Sequence, residues 1–63
     1  MKLKYDKETD ILYIRLNDLK IVESDEKNGV IIDYSAKGKV VAIEVLSASK
    51  NENSPLKVEY EFA

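Results

Sequence analysis

The sequence of 63 residues contains no cysteine, no histidine and no tryptophan, and only one proline and two glycines. Without cysteine, the chain has neither a disulfide nor a thiolate metal site to stabilise so short a fold. Without histidine, it lacks the commonest metal ligand and the usual general base near neutral pH. Stability beyond a small core must therefore come from efficient packing or from a partner, and a homodimer is the simplest such partner.

Charge and hydropathy exclude further classes of protein. Ten basic and twelve acidic residues give a net charge of −2 and are interspersed along the chain, so nucleic-acid binding through a basic surface is not expected. No apolar run approaches the roughly 20 residues that span a bilayer. The N-terminus lacks the apolar segment of a signal peptide. We expect a cytoplasmic protein without membrane contact.

Alternating apolar residues predict five or six antiparallel β-strands and at most one short helical turn. The most apolar run, Val40–Leu46, is rich in β-branched residues and has apolar side chains on both faces, which indicates a central strand. Further strands are predicted at Lys2–Tyr5, Ile11–Leu16, Leu19–Glu23, Val30–Tyr34 and Leu56–Phe62.

Polar turns connect most of these strands as successive hairpins. Asn28-Gly29 favours a two-residue type I′ loop because both residues tolerate positive φ, and residues 35–38 form another turn. We therefore predict an all-β fold, a small antiparallel meander that is curled or barrel-like. Residues 1–63 form one domain, in which residues 51–63 contribute a polar loop and a terminal strand that could cross to a second subunit.

Both faces of the central strand need a cover. One face is expected to pack on a core with Leu12, Ile14, Ile32 and the terminal strand. The other face exceeds what so short a chain can cover, which favours a dimer. Arg15 is the only arginine, and its stem could either cover the sheet or anchor an interface beside an aromatic ring. The residues assigned to an interface are Tyr13, Arg15, Val40, Ala42, Leu46, Val58, Tyr60 and Phe62.

Two groups of acidic residues are candidates for chemistry. Asp6, Glu8 and Asp10 could hold Ca²⁺ or Mg²⁺ through oxygen, but the glycine and the distal bidentate glutamate of a calcium loop are missing, so a capped, solvated turn without metal is expected. Pairing outward from the turn at 35–38 sets Asp33 opposite Val40 and away from Glu44, so no catalytic dyad is predicted. We expect no cofactor and no enzyme.

Three ordered segments carry a family resemblance over residues 1–50: Tyr5-Asp6-x-Glu8-x-Asp10-x-Leu12-Tyr13-Ile14, then Gly29–Tyr34, then Gly38–Ser49. In them the chain resembles the small prokaryotic domain-of-unknown-function family 2283. Members of that family often lie beside genes for small toxins of the ribosome-dependent ribonuclease type. The resemblance therefore implies a protein-binding module, antitoxin-like towards a small toxin protein.

Two alternatives accompany this interpretation. One is a self-assembling structural domain without a separate ligand. The more distant one is a divalent-cation-binding protein or an enzyme that uses Asp6, Glu8 and Asp10. Binding to an operator through a helix-turn-helix is not expected, because no predicted helix is long enough.

Overall fold

Five antiparallel strands form one open sheet in the computed structural model, which describes residues 1–50 and 57–63. Their spatial order is β1-β2-β5-β4-β3, so β5 is central and the sheet is not closed into a barrel. The predicted all-β antiparallel class, the central strand and the single helical turn are confirmed. The elements are β1 Lys2–Asp6, β2 Ile11–Arg15, β3 Glu23–Lys27, β4 Val30–Tyr34, β5 Val40–Val45 and one 3₁₀ turn, Ala48–Lys50.

Tight turns join β1 to β2, β3 to β4 and β4 to β5. In the β3–β4 turn, Asn28 and Gly29 have φ values of 51° and 81°, the left-handed pair that a type I′ loop requires. In the β4–β5 turn, the Ser35 N–H donates to the Lys39 carbonyl at 2.8 Å. The Ser35 hydroxyl accepts the Lys39 N–H at 3.1 Å. Both turns therefore lie where the sequence predicts them.

The predicted strand at Leu19–Glu23 is wrong, because residues 16–22 form the connection from β2 to β3. Side chains hold this connection: the Asn17 amide donates to the Val40 carbonyl at 3.1 Å, and the side-chain carbonyl of Asn17 accepts the Leu19 N–H at 3.1 Å. The strand ladder begins only where the Val22 N–H donates to the Tyr34 carbonyl at 2.9 Å.

β3 instead consists of residues 23–27, which are polar or charged and all exposed. The loop at Asn28-Gly29 causes this, since a two-residue hairpin must pair the residues directly beside it, Lys27 with Val30. Backbone hydrogen bonds supply the pairing and the charged side chains face solvent. Such a strand suits the edge of a sheet, where charge discourages pairing with other chains.

A β-bulge interrupts the pairing of β4 with β5. Asp33 lies opposite Ala42, but Tyr34 lies opposite Val40, so Val41 is an extra residue in β5. The fully buried side chains are concentrated here, since Val41 and Ala42 have no exposed surface. Among the described residues the only other buried hydrophobic side chain is that of Ala48, which makes the core small.

The predicted terminal strand is wrong in its described part: residues 57–63 contain no strand and all are exposed. The prediction for Leu56 lies outside the described residues. Val58, Tyr60 and Phe62 were expected to face a core, but they are 60%, 74% and 89% exposed. An alternating pattern shows which side of a strand would be apolar, but a strand forms only beside an available edge.

Candidate functional site

One face of the sheet is apolar and incompletely buried. Strand alternation and the cross-strand register place two rows of apolar side chains there. In one row, neighbouring strands contribute Leu3, Ile14, Ile43 and Ile32 side by side across the sheet. None of the nine is buried in the single chain. This surface, called the apolar face below, consists of Leu3, Tyr5, Leu12, Ile14, Val30, Ile32, Tyr34, Ile43 and Val45.

The burial of the two faces differs from the prediction. Leu12, Ile14 and Ile32 were expected in the core, yet all three remain partly accessible. On the opposite face, which was expected to need a cover, Ala42 is completely buried within the chain. Arg15, on the same face as Ala42, donates hydrogen bonds to the backbone of the connection formed by residues 16–22.

Arg15 fixes that connection through two backbone carbonyls. Its Nε donates to the Asn17 carbonyl at 2.8 Å and one terminal nitrogen donates to the Leu19 carbonyl at 2.7 Å. The other terminal nitrogen contacts the Tyr13 hydroxyl at 3.3 Å. The planar guanidinium presents these donors from separate nitrogens in a fixed geometry, whereas a lysine would have to donate from a single nitrogen. Arg15 therefore has a structural task in the single chain.

The other residues assigned to an interface lie in different surroundings. Val40 and Leu46 are half-buried at the two ends of β5. Tyr13 lies next to Glu44 across β2 and β5. Val58, Tyr60 and Phe62 are exposed in the C-terminal segment, where the rings of Tyr60 and Phe62 meet edge to face with centroids 5.4 Å apart. Their role at an interface stays a prediction.

Two acidic residues, Asp33 and Glu44, meet on the face opposite the apolar one. Asp33 is only 3% exposed, and its Oδ1 accepts a hydrogen bond from the Ser24 hydroxyl at 2.6 Å. Burial raises the pKa of Glu44, and a hydrogen bond to Asp33 and the charge of Asp33 raise it further. A protonated Glu44 has a hydrogen to donate towards Asp33, whose Oδ2 is buried without a hydrogen-bond partner.

The separation predicted for Asp33 and Glu44 is wrong because of the bulge. With Val41 as an extra residue, Asp33 moves from its expected position opposite Val40 to one opposite Ala42. Glu44 then becomes its diagonal neighbour on the same face, a distance that long side chains can bridge. No residue in the sequence marks the bulge, so only the structure reveals this pair.

A surface pocket of about 410 Å³ includes Glu44, but not Asp33, in its lining. Glu44, whose pKa is raised, lines this pocket, and Lys2 and Lys4 supply positive charge from β1. A protonated carboxyl group can transfer a proton, but the described lining contains no nucleophile and base in contact. The lining residues are Lys2, Lys4, Asp6, Thr9, Ile11, Tyr13 and Glu44.

The carboxylates of Asp6 and Asp10 are engaged in protein hydrogen bonds. Asp6 accepts the backbone N–H of Glu8 at 2.9 Å, capping the β1–β2 turn as predicted. Asp10 Oδ1 accepts the Tyr5 hydroxyl at 2.7 Å, and Oδ2 accepts the Ser49 hydroxyl at 2.7 Å. No group of three or more metal-binding side chains occurs within residues 1–50 and 57–63.

Asp10 thereby fastens the 3₁₀ turn to the β1–β2 turn. Its backbone has a φ of 56°, its carbonyl accepts the Ala48 N–H at 2.9 Å, and its carboxylate accepts the Ser49 N–H at 2.9 Å. Hydrogen bonds from Ser49 and Tyr5 lower the pKa of Asp10, and the same contact raises the pKa of Tyr5. The sequence analysis singled out Asp10 but did not identify Ser49 as its distant partner.

Comparison with known protein families gives a match over most of the chain. The model of the family described as "Protein of unknown function (DUF2283)" matches residues 2–49, nearly the range of the resemblance described above. Among curated proteins and solved structures, none matches the chain significantly. Within the described part of the chain, no helix has the length and apolar character needed to cross a membrane.

Proposed function

Because the chain belongs to the DUF2283 family of proteins of unknown function, whose name assigns no activity, we propose its function from the sheet itself. It is a cytoplasmic protein-binding module, and the apolar face is its binding surface. The first occupant of that surface is a second copy of the chain, which makes the protein a homodimer. The observation that carries this proposal is the incomplete burial of all nine apolar side chains on one face.

Surface area supports a protein partner. The chain exposes 5333 Å², whereas the size scaling of folded monomers gives about 4,100 Å² for 7.2 kDa. The excess, about 1,200 Å², is on the scale of the roughly 800 Å² that each partner buries in a standard interface. This total includes polar atoms and the exposed C-terminal segment. An apolar face without a cover is also typical of an interaction site.

A matched pair of substitutions on β4 tests the proposal. Ile31 and Ile32 are adjacent and half-buried, but they point to opposite faces of the sheet. We expect wild-type protein to sediment with twice the mass of one chain. Ile32→Lys should weaken dimerisation by about tenfold or more, because it places a charge in an apolar interface, while Ile31→Lys should leave dimerisation nearly unchanged.

Controls separate dimerisation from folding. Circular dichroism must show β-structure in both variants before their masses are compared. If Ile32→Lys does not fold, Leu3→Lys replaces it, because Leu3 is already exposed at the edge of the same face. A wild-type protein that remains monomeric at about 100 μM, or equal effects of the two β4 variants, would contradict the proposal.

The narrower proposal is an antitoxin-like role towards a small basic toxin protein. It is supported by the family resemblance and by the net charge of −2, which suits a basic partner. Co-expression with the protein encoded next door, followed by affinity capture, tests it. Ile31→Lys should still capture that protein and Ile32→Lys should not, whereas failure of the wild-type chain to capture it excludes this role.

A further inference from the structure

The described C-terminal segment, residues 57–63, has a strand-like pattern but forms no strand with the described part of its own chain. Val58, Tyr60 and Phe62 would lie on one side of a strand, and Glu59 and Glu61 on the other. Within the segment, Lys57 forms a 3.7 Å ion pair with Glu59. A segment of this kind has the composition of an edge strand and requires a sheet edge with the matching pattern.

The sheet offers two edges, and β3 is the unsuitable one. Its residues on the apolar side of the sheet are Glu23, Asp25 and Lys27, which would meet the apolar side chains of an added strand. On the other side, Glu26 would meet the glutamates of the C-terminal segment. Like charges directly opposite one another are unfavourable, and a charged edge resists strand addition.

The β1 edge matches the segment on both sides. Leu3 and Tyr5 lie on the apolar face and would continue into the apolar side chains of the added strand. Lys2 and Lys4 lie on the opposite side, are exposed, and would meet Glu59 and Glu61. The backbone N–H and C=O groups on the outer side of β1 supply the hydrogen bonds that strand addition uses.

We propose that residues 57–62 of one chain add as a sixth strand to β1 of a second copy, with Glu59 and Glu61 beside the lysines at positions 2 and 4. The exchange is reciprocal, as the symmetry of a homodimer requires. This inference rests on the proposed homodimer and names a second contact within it. A second copy is the occupant because residues 57–63 are exposed and form no strand with the described part of their own chain.

Charge reversal in the full-length chain tests this contact, with dimerisation measured by sedimentation at low salt. One variant carries Lys2→Glu with Lys4→Glu, and the other carries Glu59→Lys with Glu61→Lys. Each alone should dimerise about tenfold or more weakly than wild type, because four cross-strand pairs per dimer become like-charged. Mixed in equal amounts, the two variants should dimerise nearly as well as wild type, since each then meets a partner of opposite charge.

The control variant carries Glu23→Lys with Glu26→Lys on β3, which changes the net charge as much as the tail variant does. It should dimerise like wild type. If neither reversed variant is weakened, or if mixing does not restore dimerisation, the exchange between copies is wrong. Restoration only when all four reversals occur in one chain would place the segment on its own β1. A monomeric wild type, in contrast, refutes the homodimer itself.

Discussion

Glu44 on β5 and Asp33 on β4 are diagonal neighbours on one face of the sheet, where the Oδ2 atom of Asp33 is buried without a hydrogen-bond partner. Burial disfavours the ionised form of Glu44 and the neighbouring Asp33 disfavours it further, so the pKa of Glu44 is raised. The arrangement lowers the free energy of unfolding at neutral pH, because both groups would be ionised and solvated in the unfolded chain.

We therefore predict that Glu44→Gln stabilises the fold at pH 7 by about 1 kcal/mol. The amide group donates to Asp33 Oδ2 at every pH, so no proton has to be retained. In wild type, the folded state binds more protons than the unfolded state, and stability should fall as pH rises from the ordinary value of 4.5 to the raised pKa. Urea unfolding between pH 4 and pH 8 measures both effects.

Glu26→Gln is the matched control, since Glu26 is exposed on β3 and lies on the same face of the sheet as Glu44. It should leave both the stability and its slope with pH close to those of wild type. If Glu44→Gln lowers stability at pH 7, or keeps the wild-type slope, Glu44 does not hold a proton for Asp33.

The lowered pKa of Asp10 predicts the opposite dependence on pH. Its ionised form is stabilised in the folded state by Ser49 and Tyr5, so its contribution is present above the ordinary value of 3.8 and is lost as pH falls through the lowered pKa. Asp10→Asn should lower the melting temperature at pH 7. In acid, the melting temperatures of the variant and of wild type should lie closer together. Asparagine tolerates the positive φ at this position, so backbone strain should not contribute to the change in melting temperature.

Glu8→Gln provides the comparison within the same turn. The Glu8 side chain makes no hydrogen bond among the described residues, although its backbone N–H donates to Asp6. Its melting temperature should follow that of wild type at every pH. Equal behaviour of the Asp10 and Glu8 variants would show that Asp10 does not fasten the 3₁₀ turn.

The β3–β4 turn depends on positive φ at Gly29. A methyl group added there would meet no heavy atom within 4 Å beyond its immediate chain neighbours, so Gly29→Ala should cost only the backbone term, about 1 kcal/mol. Gly29→Asn should recover part of this loss, because asparagine adopts the left-handed conformation more readily. Equal losses for the two variants, measured by urea unfolding, would indicate that backbone conformation is not the cause.

The same turn shows how much of the strand arrangement can be predicted from the sequence. Asn28-Gly29 determines which residues pair beside it, so this turn signal was sufficient to place a strand at 23–27, although the prediction did not use it in this way. Hydrophobicity placed it instead at Leu19–Glu23, where a connection lies. Turn chemistry was the stronger evidence, because an edge strand needs backbone partners more than it needs apolar side chains.

Long-range contacts could not be predicted from the sequence, for a different reason. The bulge at Val41 and the link from Asp10 to Ser49 join residues through the geometry of the whole sheet. Alternation correctly identified β5 as the central strand and assigned side chains to faces. It could not say that Ala42 would be completely buried within the single chain.

Divalent cations should not stabilise the protein through the acidic residues near the β1–β2 turn. Asp6 and Asp10 already accept protein hydrogen bonds, and a cation would have to displace them. A site occupied at 100 times its dissociation constant would add about 2.7 kcal/mol, which calorimetry would detect readily. We expect the melting temperature in about 5 mM Ca²⁺ or Mg²⁺, concentrations roughly those of weak extracellular sites, to match that in EDTA at equal ionic strength. A rise that Asp10→Asn abolishes would instead establish a cation site.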